Sequence, residues 1–328
     1  MKRNRIIDQA KGIAIILVII GHIPTKNMPV ITWLYSFHIP IFLVVCGYVL
    51  ADKPPIKNVK SFLKKQSIRL LYPFVTFSII KALFGLFIMK DIDEFIDPLV
   101  RVPLLAGDGA LWYLPAFFVA LVIFQILRKY HKLNYLWIFV VVTILCSETI
   151  LLNHPYYERK IWFYLNLINH DLLMCVFIGV GYIFRKKNLI NKNPSYLISF
   201  SLLAIGLILS IMNGKIDIHY SNIRNGLLFY PCAVINCLGL MMLLKRMNLH
   251  LLGLEYLGKN SLVIFLTHTT LRIVALTSRW MKAIWAEPYF VLTGSVILVL
   301  IIEIPIIYLS KRQLSFLFKM PKKARKLL

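Results

Sequence analysis

Negative charge is scarce in this chain. Its 328 residues include 38 Lys and Arg but only 14 Asp and Glu, and charged residues of both signs total 16%. A soluble domain usually reaches about 25%, so an ordinary water-facing surface is excluded. Cysteine is sparse too. Cys46, Cys146, Cys175, Cys232 and Cys237 all lie in apolar runs, without metal-ligand spacing or a disulfide framework. They read as small buried hydrophobes. No glycine-rich phosphate loop, serine-hydrolase elbow, metal signature or nucleic-acid motif is present. The opening Met-Lys-Arg-Asn-Arg imitates a signal peptide, but no small-residue cleavage site follows. The first apolar run is therefore expected to be a retained span. With no repeat and no low-complexity tract, residues 1–328 are expected to form one transmembrane domain without a fused soluble domain.

Apolar residues make up 59% of the chain and the mean hydropathy is +0.73. Runs of membrane-crossing length recur from end to end. They lack the alternation of barrel strands, so backbone satisfaction in lipid requires helices. The expected fold is an all-α integral membrane bundle of about ten transmembrane helices, at 6–23, 31–50, 68–89, 110–127, 134–152, 162–184, 195–212, 226–244, 259–278 and 288–310. The net charge of +24 does not point to nucleic acid, because the basic residues sit in short loops between apolar runs. Lys53, Lys57, Lys60, Lys64, Lys65 and Arg69 fall on one side. Arg128, Lys129 and Lys132, then Arg185, Lys186 and Lys187, then Lys245 and Arg246 fall on the same side, with both basic termini. The opposite side carries Asp91, Asp93, Glu94, Asp97 and Asp108. The positive-inside rule then puts both termini in the cytoplasm, and contact with anionic lipid headgroups accounts for much of the basic excess.

Ionisable residues inside spans are costly and mark function by default. The first span carries Asp8, Lys11 and His22 around the apolar stretch Gly12–Gly21. Lys11 and His22 are close to three turns apart, on one face and ~16 Å along the axis. Lys11 falls near the cytoplasmic face and His22 near the outer one. His22 is a candidate general base, since histidine titrates near neutral pH; the plainer reading is a helix-end cap. Asp8 and Lys11 can pair across one turn, as a site or as an interfacial anchor. His38, beside Pro40, falls in the outer half of the second span, where a kink can build a pocket facing His22. Arg69 either snorkels to headgroups or clamps phosphates. Trp112 and Tyr113 read as an aromatic belt or as a sugar platform. Further along come His170-Asp171, then His268 and Arg272 in the ninth span and Glu303 in the tenth. Arg272 and Glu303 are expected to pair, because a lone charge there is costly. Of this later set, His268 is the better functional candidate.

Several of these pieces, taken in order, resemble a known family. They are Ile7-Asp8-Gln9-Ala10-Lys11-Gly12-Ile13-Ala14-Ile15, Gly21-His22, Phe37-His38-Ile39-Pro40-Ile41-Phe42, Gly47-Tyr48 and Arg69-Leu70-Leu71-Tyr72-Pro73. The set resembles the membrane acyltransferase-3 family, in its fucose-4-O-acetylase-like, stand-alone branch. Trp112-Tyr113-Leu114 and His268 are similar to later motifs. The resemblance implies a bacterial cytoplasmic-membrane enzyme that moves an acetyl or other short acyl group from acyl-coenzyme A to a hydroxyl of a cell-surface glycan, exopolysaccharide or lipid-linked sugar. Acetyl-coenzyme A is then a cosubstrate, with no tightly bound cofactor and no metal, and membrane lipids are the other partner. It implies His22 as catalytic base or acyl relay, aided by His38. Lys11, Arg69 and Lys65 bind the donor, and Asp8, Trp112, Tyr113 and His268 support. Two departures stand out. Gln66 and Lys65 occupy the region of a first family arginine, and Cys46 stands where the family has serine. The rival class is a transporter of a sugar or lipid intermediate, since intramembrane His, Arg and Glu also suit a proton-coupled carrier. The loop charges make one prediction directly. A cytoplasm-active reporter fused at either end is expected to be active, and one active only outside is expected to be silent; the reverse pattern overturns the orientation.

Overall fold

The computed structural model describes residues 4–24, 29–152, 160–192 and 195–318. The basic cluster Lys322, Lys323, Arg325 and Lys326 and part of the expected outer loop 23–32 lie outside the described residues. Helices dominate. In chain order α1 is Arg5–His22, α2 Pro29–Tyr35, α3 Pro40–Leu50, α4 Val59–Gln66, α5 Tyr72–Phe84, α6 Ile92–Arg101, α7 Tyr113–Lys129 and α8 Leu136–Leu152. Then come α9 Lys160–Lys186, α10 Tyr196–Asn213, α11 Gly226–Met247, α12 Leu252–Lys259, α13 Ser261–Thr270, α14 Ile273–Ile284 and α15 Pro288–Arg312. Among the described residues the only strand-like pairing is an isolated bridge between Asp217 and Asn222.

Seven helical runs are long and apolar enough to cross a membrane: Pro29–Leu50, Val59–Met89, Gly109–Lys129, Trp162–Lys186, Tyr196–Asn213, Gly226–Met247 and Pro288–Arg312. The bent pair Ser261–Thr270 and Ile273–Ile284 raises the number to eight. Of the ten expected, the first and fifth fall outside this set. α1 carries Arg5, Asp8 and Lys11 within its 18 residues, and Leu133–Thr149 is a shorter apolar helix.

Three expected boundaries change. The segment 51–67 is not all loop: Asn58 accepts a hydrogen bond from the Ser61 amide at 3.0 Å and starts α4. The acidic segment 90–109 contains α6, started when the Asp91 carboxylate accepts from the amides of Asp93 and Glu94 at 2.9 and 3.2 Å. Both are ordinary N-caps. The ninth span is broken, with its halves inclined at 64°. Arg272 sits at the break with φ of 52°, a left-handed conformation that a side chain rarely adopts.

The chain gathers into two compact units, neither contiguous in sequence. The first comprises Met1–Leu17, Asn27–Lys57 and Val119–Lys259; the second comprises Val18–Lys26, Asn58–Phe118 and Asn260–Leu328. In the first unit α3 lies directly on α9, and glycine permits it. A Cβ at Gly47 would strike the carbonyl of Ile178, and one at Gly181 would strike the carbonyl of Val44. Small residues let apolar helices approach until their backbones touch, which replaces the hydrophobic drive absent in lipid. α12 meets α1 in the same way: Gly12 faces the Leu254 carbonyl and Gly258 the Asp8 carbonyl. Gln9, 2% exposed, donates to the Leu249 carbonyl at 2.8 Å and to Glu255 Oε1 at 3.2 Å.

Two arginines counted from sequence among the basic loop charges also bond within the chain. Arg128 is 5% exposed. It donates to the Leu50 carbonyl at 2.9 Å and to the Lys53 carbonyl, closing the C-terminal end of α3. Arg185 donates to Asp52 at 2.8 Å and to the Tyr48 hydroxyl at 3.3 Å.

The second unit holds a continuous helical run, Val59–Met89, with two π-helical turns at Ser67–Leu71 and Gly85–Met89. The first follows from sequence. Pro73 has no amide to donate and its ring crowds the carbonyl four residues back, that of Arg69. The wider turn relieves this, with the Tyr72 amide donating to the Ser67 carbonyl. Arg69 therefore lies inside that π turn and does not open a helix.

The α3–α9 contact generates a prediction. Gly181→Leu is expected to destabilise the fold by ~1–3 kcal/mol or more, the cost of overpacking a close contact, read as a lower unfolding temperature in detergent. Gly253, with open space around its Cβ position, is expected to tolerate Ala. Equal effects at the two sites would overturn the reading.

Candidate active site

His22 closes α1 and is exposed. In the second unit its ring lies 5.1 Å, centroid to centroid, from that of His268, with the planes inclined at 60°. His268 is fully buried on α13. Its Nδ1 is 2.8 Å from the carbonyl oxygen of Ile264. A carbonyl only accepts, so Nδ1 carries the hydrogen and a neutral ring has its lone pair on Nε2. Nε2 is buried and makes no hydrogen bond among the described residues.

Aromatic rings continue from this pair. Phe265, one turn before His268, lies 5.9 Å from it. Tyr113 lies 5.3 Å from Phe265 and 5.6 Å from Phe117, and Trp112 lies 6.3 Å from Tyr113. Trp112 is 7% exposed, so it packs inside the unit and is not a surface belt residue. Its placement follows from Gly107 and Gly109. A Cβ at Gly107 would overlap the Trp112 amide, and Gly109 takes φ of 56°. Thus Tyr113, Phe265, His268 and His22 form a continuous run of ring contacts. Sequence reasoning missed Phe265; its i, i+3 spacing to His268 was the available signal.

The charges of the second unit pair differently from expectation. Arg272 donates to Glu94 at 2.7 Å, not to Glu303. At the break between α13 and α14 it joins a residue of α6. Lys81 pairs with Asp108. Glu303 is fully buried on α15, and both its oxygens lie 2.8 Å from the Thr267 hydroxyl. Thr267 also reaches the Val263 carbonyl at 2.9 Å. Arg69 and Lys65 are exposed, and neither makes a hydrogen bond or ion pair among the described residues. Their donors are open to a ligand.

The remaining sequence candidates belong to the first unit. Asp8, 3% exposed, pairs with Lys11 at 3.2 Å. His38 lies in the turn between α2 and α3, which ends one helix and restarts it at Pro40. Its Nδ1 points to the carbonyls of Leu34 and Tyr35, both at 3.2 Å, and its ring lies 4.9 Å from that of Tyr35. The ring partner of His22 is His268, where the sequence had suggested His38. His170 and Asp171 lie 3.5 Å apart on α9. Among the described residues no group of three or more His, Cys, Asp or Glu is placed to hold a metal ion.

A family model described as an acyltransferase domain matches residues 4–308. Among curated proteins, the nodulation protein NolL of Mesorhizobium japonicum (strain LMG 29417 / CECT 9101 / MAFF 303099) is 25% identical over 178 residues, 47% of this chain and 46% of that protein. The chain spans about half the length of this relative. No solved structure matches.

The Glu303 environment is testable. Thr267→Val removes the hydroxyl facing a buried carboxyl group and is expected to cost ~1–3 kcal/mol, seen as a fall in unfolding temperature. Thr267→Ser is expected to restore most of it. A Val variant as stable as wild type would show that the contact contributes nothing.

Proposed function

Because the chain belongs to the acyltransferase-3 family, we propose that it is a membrane O-acyltransferase, moving an acetyl or other short acyl group from acyl-coenzyme A to a hydroxyl of a cell-surface glycan, exopolysaccharide or lipid-linked sugar. The observation that carries this reading is the pair His22–His268, an exposed imidazole backed by a buried one. His22 takes the proton of the acceptor hydroxyl as that oxygen attacks the thioester carbonyl. The carbon–sulfur bond breaks, the thiolate leaves and the proton returns to it as free coenzyme A. In the alternative form of the same chemistry the His22 ring carries the acyl group briefly. The donor's phosphates are assigned to Lys11, Arg69 and Lys65; the open donors of Arg69 and Lys65 support this, and arginine's planar fork suits phosphate. Asp8 holds Lys11. His38 is retained as an auxiliary base, and Trp112 and Tyr113 as supports.

The protein is further assigned to the bacterial cytoplasmic membrane, with both termini in the cytoplasm and α1 and α8 added to the crossings. In this orientation Lys11 meets a soluble cytoplasmic donor, and His22 works toward the outer half. Residues 1–328 act as one acyltransferase domain.

A carrier is the second reading, and the broken helix α13–α14 favours it, since transporters bind substrates at discontinuous helices. Such breaks usually recur in two halves, and among the described residues one bent pair is found. Family membership favours transfer.

The test is incorporation of label. Native membranes with acetyl-labelled coenzyme A are expected to give alkali-labile label in a glycan or lipid fraction. In His22→Ala at matched protein level the label is expected to drop by about 100-fold or more. Retained label in the variant removes His22 from the chemistry. Absence of label in wild type across a panel of acyl-coenzyme A donors and acceptors would favour the carrier.

A further inference from the structure

We propose that His268 is the positioning residue for His22: its Nε2 lone pair receives an N–H of the His22 ring, so that the other His22 nitrogen faces the substrate as an acceptor. The inference rests on the reading of His22 as base or relay and names the device that orients it.

Three observations converge. First, the tautomer of His268 is set. Its Nδ1 hydrogen is committed to the Ile264 carbonyl at 2.8 Å, so Nε2 of the neutral ring only accepts. Second, that acceptor is fully buried and without a hydrogen bond among the described residues. A buried unpaired polar atom is costly and calls for a donor. Third, His22 is the ring beside it, at 5.1 Å between centroids. Two imidazoles joined by a straight N–H···N bond of ~2.9 Å place their centroids about this far apart. The separation is therefore right and the bond is unmade; turning the exposed His22 ring closes it.

The proton inventory is then complete. His22 enters with one N–H, given to His268, and one lone pair. It accepts the proton of the acceptor hydroxyl, becoming imidazolium, and returns that proton to the departing thiolate. His268 keeps its own hydrogen on Nδ1 throughout and accepts a stronger, charge-assisted bond while His22 is cationic. A histidine triad member held by a carboxylate is fixed by the same logic; here the orienting group is neutral.

The test compares His268→Ala and His268→Gln in the full-length protein in native membranes. Glutamine's side-chain amide oxygen can stand near the place of Nε2 as an acceptor, whereas alanine offers none. His268→Ala is expected to lower kcat for acetyl transfer to the endogenous acceptor by about 100-fold, with the KM for acetyl-coenzyme A within about threefold. His268→Gln is expected to recover at least about a tenth of wild-type kcat. Equal losses in both variants, an unchanged kcat in Ala, or an effect confined to KM would overturn the proposal. A second readout does not require turnover. Carbethoxylation of His22 by diethyl pyrocarbonate, mapped by mass spectrometry, is expected to be about fivefold slower in His268→Ala and near wild type in His268→Gln. An unchanged or faster rate in Ala overturns the orientation. A wild type that transfers no acyl group but shows this chemical pattern would instead overturn the enzymatic reading and leave the pair intact.

Discussion

The constraint on which this structure depends is that a polar atom inside an apolar bundle must find its partner within the chain. Water is absent from the hydrocarbon core, and each unsatisfied group there costs several kcal/mol. The fold answers with long-range side-chain bonds that end helices and join them. Arg128 closes the end of α3 on two carbonyls. Trp33 donates to Asn236 at 2.8 Å, and Asn236 donates to the Cys232 carbonyl at 3.0 Å. Asn169 donates to Ser147 at 2.9 Å, and Thr267 meets Glu303. Against that background an unsatisfied atom carries information. His268 Nε2 is one, and it belongs to the ring that touches the exposed His22. Other buried side-chain atoms also lack a hydrogen bond among the described residues, Gln125 Oε1, Asn169 Oδ1 and Thr270 Oγ1 among them, so it is the neighbouring His22 ring that gives this one its meaning.

Glycine serves the same constraint from the other side. Where α3 meets α9 and α1 meets α12, glycines bring backbone against backbone. Close packing of this kind supplies the dispersion energy that replaces hydrophobic drive. It also fixes α1 at its Asp8–Lys11 end, where Gly12 and Gly258 meet the partner helix.

Much of this was legible in the sequence. Composition alone demanded a helical membrane bundle, and the ordered motifs of the first seventy residues marked His22, Lys11 and Arg69. His268 was singled out because an ionisable residue in a span is costly. What stayed hidden has physical causes. Hydropathy averages over a window, so it could not see that Arg272 adopts a left-handed conformation and breaks a span. Polar helices with only one or two turns of apolar face, such as α4 and α6, look like loops to the same average, although Asn58 and Asp91 cap them. Charge counting placed Arg128 and Arg185 in loops of one side, and loop position says nothing of an aromatic ring or a carbonyl nearby; both lie against tyrosines, Tyr182 and Tyr48. The partnership of His22 with His268 joins opposite ends of the chain, and no local pattern encodes a contact of that range.

The choice of a histidine behind His22 follows from the medium. In water-exposed hydrolases a carboxylate commonly orients the catalytic imidazole. Moving a carboxylate into an apolar bundle without a matched cation costs several kcal/mol, and two cations of this unit, Arg272 and Lys81, are already engaged with Glu94 and Asp108. A neutral imidazole avoids that penalty. It supplies the one feature the proposed reaction needs, a lone pair in a fixed place, provided its own hydrogen is held elsewhere. The Ile264 carbonyl, one helical turn back on α13, holds it. The requirement thus reduces to local helix geometry: a histidine whose Nδ1 bonds back to the carbonyl four residues earlier must direct Nε2 outward from its helix. In α13 that outward direction meets the end of α1, and the geometry of one turn of helix sets the protonation pattern of the candidate active site.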